Sequence, residues 1–121
     1  VAVLTKDDDA AATAEAEVQL AQILRAVGRA SDATSRLERA IEVLAPTRDH
    51  APRLALARYT LARALADQKQ DRPRQQQLIA AAEPALAADA DHDIVSRRAL
   101  ADLRAWRSQP HGPSGLSQPG N

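Results

Sequence analysis

His50, His92 and His111 are the side chains best suited to general acid–base work or to metal binding, but their spacing serves neither purpose. All three fall in turns or in the C-terminal tail, where a solvated histidine is the expected state. The chain has no cysteine, which removes thiol catalysis, disulfides and cysteine metal sites. Asp89-Ala90-Asp91-His92-Asp93 has the opening rhythm of a calcium loop. Such a loop needs glycine at its sixth position and glutamate at its twelfth, and Ile94 and Leu100 stand there. The run therefore reads as an acidic, helix-capping turn. The serines and threonines have no glycine-rich elbow or paired base, and there is no phosphate loop or dinucleotide fingerprint. The residues predict a non-catalytic chain with no metal and no cofactor.

Charge narrows the partners. Sixteen Lys and Arg balance sixteen Asp and Glu across 121 residues, for a net charge of zero. Arg97, Arg98, Arg104 and Arg107 form a small basic excess over Asp93 and Asp102 near the C-terminus. Without a basic domain or a recognised motif this reads as a solvated face, and no nucleic-acid partner is expected. No apolar run reaches the roughly 18 residues of a membrane span, and no signal peptide opens the chain, so the expected setting is cytoplasmic. Methionine is absent even at position 1, which reads as a piece of a longer protein.

The elements that carry these residues are helices. Alanine supplies 28 positions and leucine 14, with Trp106 and Tyr59 the only aromatics. Small side chains let helix backbones approach closely, whereas sheets favour β-branched and aromatic residues. Residues 1–10 read as an N-terminal stub, with Asp7, Asp8 and Asp9 placed to cap a helix. From about Ala11, Val18, Leu20, Ala21, Leu24 and Val27 recur at helical spacing, and Gly28 ends the run in a left-handed cap. Ser31 or Asp32 is expected to cap a second helix bearing Ala33, Leu37, Ala40, Ile41 and Leu44, ended by Pro46. Pro52 opens a third, which runs to about Lys69 with Leu54, Ala57, Leu61, Ala62 and Leu65 on one face. Asp71 and Pro73 start a fourth with Leu78, Ala81, Ala82, Ala85 and Leu86. Pro84 predicts a kink or early break there. A fifth carries Ile94, Ala99, Leu100, Leu103 and Trp106. Residues 108–121, rich in proline and glycine, read as a flexible tail.

The helices repeat. Leu20-Ala21-x2-Leu24 is followed by Ala33-x3-Leu37, Ala40 and Pro46, and Leu61-Ala62-x2-Leu65 by Leu78 and Ala81. This large/small/large order resembles the tetratricopeptide family over residues 11–107. Glu17 and Arg58 stand where that pattern has tryptophan, and Leu24 and Leu65 where it has tyrosine. The step from Leu20 to Leu61 is 41 residues, similar to the longer kinesin-light-chain type of repeat found in large bacterial regulators. Residues 56–65, Asp71-Arg72 and Ala105-Trp106 look like the repeats that follow the kinase domain in some bacterial serine/threonine kinases.

The resemblance implies an all-α solenoid of two antiparallel helical hairpins, closed by a capping helix at which Trp106 seals the core. It also implies a peptide-binding groove along the inner helices, presenting Glu15, Val18, Gln22 and Arg25 from the first and Leu56, Tyr59, Arg63 and Asp67 from the second. Apolar anchors would set affinity there and arginines orientation. Tyr59, flanked by arginines, is either a peptide contact or packing against the fifth helix. Val18, Gln22 and Thr60 occupy places where the chaperone-binding members carry a carboxylate clamp, so that ligand class is not expected. The function implied is a protein-interaction scaffold within a larger signalling protein. The alternatives are a regulatory segment of a signalling enzyme such as a kinase, and a structural, self-associating segment.

Overall fold

The structure, a computed structural model, describes residues 6–46 and 51–109. These form five helices and no strand: α1 (Lys6–Ala26), α2 (Ala30–Leu44), α3 (Ala51–Asp67), α4 (Arg72–Asp89) and α5 (Ile94–Arg107). The protein is all-α. His50, His111, the Val1–Leu4 segment and all but the first two residues of the expected tail lie outside the described residues.

Consecutive helices pack together, and α3 also packs against both α1 and α5. The ion pairs fix the relative directions. Glu15 meets Arg53 at 3.1 Å and Arg25 meets Asp67 at 2.6 Å, so residue numbers rise together along α1 and α3 and the two helices run parallel. The even helices lie behind them: Glu38 of α2 holds Arg74 of α4 through two bonds of 2.5 and 2.7 Å. Leu37, Leu44, Leu61, Leu86 and Leu103 are fully buried, and the alanines between them let the backbones close up. The buried polar side chains are all bonded. The hydroxyl of Thr60 donates to the Leu56 carbonyl, the amide of Gln75 to the Gln70 carbonyl, and the hydroxyl of Ser96 to Asp89.

Two helix ends are built alike. After α1, the N–H of Gly28 bonds to the Arg25 carbonyl and that of Arg29 to the Leu24 carbonyl, with Gly28 at φ +84°. After α3, Lys69 and Gln70 repeat the pattern onto Ala66 and Leu65, but here Lys69 takes the left-handed conformation at φ +55°. A side chain in that region strains the backbone by about 1 kcal/mol. Gly28→Ala, which meets no atom within 4 Å, is therefore expected to destabilise by about 1 kcal/mol through conformation alone. Lys69→Gly should stabilise by about 0.5–1 kcal/mol, raising the melting temperature by a few degrees. Thermal melts of the two variants check the opposite signs.

Several expectations are corrected. Helix α1 starts at Lys6, so the three aspartates lie in its first turn rather than ahead of it. Ser31 and Asp32 do not cap α2. The turn delivers the chain so directly that the helix begins at Ala30, and Asp32 pairs with Arg29 at 2.6 Å instead. Helix α4 does not break at Pro84 but continues to Asp89. Pro84 and Ala80 are both exposed, so the carbonyl deprived of its donor faces water. Val27 and Ile94 are more than half exposed, and Ala81 also faces solvent. The predicted starts of α4 and α5 hold: Asp71 accepts from the Arg74 N–H and Asp93 from the Val95 N–H, each at 3.2 Å.

Candidate trough along α1, α3 and α5

The three odd-numbered helices line one side of the molecule and leave a trough between them. Its larger end, about 800 Å³, is lined by Glu15, Val18, Gln19 and Gln22 of α1, by Pro52, Arg53 and Leu56 of α3, and by Asp89, Asp93, Val95 and Ser96 around the start of α5. It continues through Gln22 into a second hollow of about 410 Å³ bounded by Arg25, Tyr59, Arg63, Asp102 and Trp106. Arg25 then leads to a third that includes Asp67. Seven of the eight residues expected in the groove line the first two hollows, whereas Asp67 lies in the third, beside the turn between α1 and α2.

Their roles differ from the expectation. Val18 is only 3% exposed and Tyr59 only 8%, so both belong to the floor. Tyr59 sits edge-on to Trp106, with ring centroids 6.3 Å apart and planes at 65°. Arg63 stacks over the Trp106 ring at 4.7 Å and donates to the Tyr59 hydroxyl at 3.3 Å. Of the two roles open to Tyr59, the geometry shows the packing one: it docks α5 on α3. Burial pushes its phenol above the ordinary value, against the lowering effect of Arg63. The arginines expected to orient a ligand are occupied as well, Arg25 with Asp67 and Arg63 with the aromatic pair.

The larger end has the opposite character. Glu15, Asp89 and Asp93 face a single guanidinium, Arg53, around an apolar floor of Val18, Leu56 and Val95. Val95 is half exposed. Gln19 and Gln22 make no side-chain hydrogen bond among the described residues. Gln19, Pro52, Arg53, Asp89, Asp93, Val95 and Ser96 were not expected in the groove. The turn before α5 was legible only as a helix cap; it is the fold of the chain between α4 and α5 that brings the Ser96 hydroxyl to donate to Asp89 at 2.7 Å. No group of three or more His, Cys, Asp or Glu able to hold a metal occurs among the described residues, and no described helix is long and apolar enough to cross a membrane.

On the far side of α5, Glu83 accepts from Arg104 at 3.0 Å and pairs with Arg107. The Arg107 bond first, and then that of Arg104, holds the Glu83 carboxyl below its ordinary 4.5. A depressed folded value means that this contribution to stability is fully present above 4.5 and is lost as the pH falls through the lower folded value. Glu83→Gln is expected to lower stability at neutral pH and to flatten that part of the acid limb, which urea midpoints across the acid range check.

No family model matches the chain, and no curated protein or solved structure does either.

Proposed function

We propose that this chain is a non-catalytic interaction module of tetratricopeptide-like design that binds a peptide or helix of another protein in the trough along α1, α3 and α5. The observation that carries this reading is the wide end of the trough, where Leu56 and Val95 lie open above the buried Val18, beside Gln19 and Gln22, whose side chains make no hydrogen bond among the described residues. The parallel run of α1 and α3, with α2 and α4 behind them, supports the repeat design. Apolar floor plus a few convergent polar groups is the usual make-up of a recognition site.

The charges specify the ligand further. With Glu15, Asp89 and Asp93 against Arg53 alone, the wide end favours a segment carrying an apolar anchor next to a lysine or arginine. Orientation falls to these carboxylates, whose three charges outnumber Arg53 although each already has a partner of its own. The narrow end around Tyr59 and Trp106 is structural. A random peptide library displayed on phage, panned on the chain, tests this. Enriched sequences should share an apolar–basic core and lose binding at least about tenfold to a Gln22→Arg, Leu56→Lys double variant whose circular dichroism is unchanged. Absence of enrichment, or equal binding by both proteins, would remove the trough from consideration.

A further inference from the structure

Helix α1 carries a second apolar stripe that no described helix covers. Its buried face is Ala11, Ala14, Val18 and Ala21. Directly opposite, at 100° per residue, run Asp9, Thr13, Ala16, Leu20, Ile23 and Val27, separated by steps of four, three, four, three and four. That is the seam of a coiled coil. Ile23 is 60% exposed and Val27 65%, Leu20 is half-buried, and Asp9, Thr13 and Ala16 are exposed. Ile23 and Val27 stay open to solvent, and the trough lies on a different face of α1.

The composition of the stripe identifies what covers it. Small or polar residues fill its N-terminal half and large aliphatic ones its C-terminal half. A second α1 laid antiparallel, with the two-fold axis at Val18, sets Leu20 against Ala16, Ile23 against Thr13 and Val27 against Asp9. Each large side chain then meets a small one, and the arrangement closes on itself as an isologous pair. Charge agrees with this direction. The acidic first turn, represented on the stripe by Asp9, comes to the partner's helix end, where Arg29 remains 63% exposed despite its pair with Asp32. A parallel pairing would place Asp9 on Asp9 and leave Ala16 facing Ala16 across a gap. We infer that α1 is a homodimerisation helix, pairing antiparallel with α1 of a second copy of this chain and leaving the trough of each copy open. The stripe spans about 27 Å of helix, a contact at the small end of specific interfaces, so the dimer dissociates on dilution.

Sedimentation velocity of the 121-residue chain over about 5–500 µM tests it. The 13.0 kDa chain should move from monomer to dimer with concentration. Ile23→Glu, which places a carboxylate in the seam of both copies, should weaken association at least about thirtyfold with no change in helical circular dichroism. A chain that stays monomeric throughout overturns the proposal. So does a dimer that Ile23→Glu leaves intact. Because the chain has no cysteine, oxidative cross-linking reads the direction. Ala16→Cys mixed with Leu20→Cys should join at least about tenfold faster than either variant joins to itself. Faster self-joining would overturn the antiparallel pairing.

Discussion

Leu61→Ala is expected to cost about 3–4 kcal/mol of stability, a large share of what a domain of this size possesses. Leu61 has no exposed surface and sits in α3, the helix that contacts α1, α2, α4 and α5. Truncating it leaves a cavity that four packed neighbours cannot close. The repeat pairs Leu61 with Leu20, yet Leu20→Ala should cost only about 1 kcal/mol, because the packing of α1 against α2 and α3 leaves Leu20 half-buried. Urea unfolding followed by circular dichroism separates the two values. Equal losses would mean that the side of α1 bearing Leu20 is covered as deeply as α3.

Trp106→Ala is expected to cost about 3–5 kcal/mol. The indole is 6% exposed. Its removal deletes its packing, the edge-on contact with Tyr59 and the stacking of Arg63, the last two worth about 1 kcal/mol each. Trp106→Phe keeps the ring contact and should recover about half of the loss. Tyr59 supplies a second readout, since it is the only tyrosine in the chain. Its phenol titrates above 10.0 because it is buried, so in Trp106→Ala the tyrosinate absorbance should rise at lower pH than in the parent. The sign for stability follows. A folded value raised above the unfolded one gives a contribution that is full below 10.0 and is lost as the pH rises through the folded value.

How far the fold and trough could be read from residue types depended on how local the deciding physics was. Gly28 and Asp93 were legible because a left-handed cap and a carboxylate accepting a helix N–H are settled within a few residues. Pro84 misled because its cost depends on whether the freed carbonyl meets water, which is a tertiary fact. Val27 and Ile94 carry apolar spacing that points away from the core, and one helix's periodicity does not say which of two apolar stripes is buried. The trough shows the same division. Glu15, Gln22, Arg25 and Leu56 follow from the inner-helix positions that the tetratricopeptide resemblance implies. The packing of Tyr59 on Trp106 depends on a residue 47 positions away, and the Asp89, Asp93 and Ser96 wall on how the last turn folds back over α3.

The open trough is the central claim, and a chemical-shift titration of the isotopically labelled chain with a peptide selected on it tests this most directly. The account predicts that amide signals of Gln19, Gln22, Leu56, Val95 and Ser96 move together and saturate, while those on the outer faces of α2 and α4 stay still. Shifts confined to α2 and α4, or to the Leu20, Ile23 and Val27 side of α1, would contradict it.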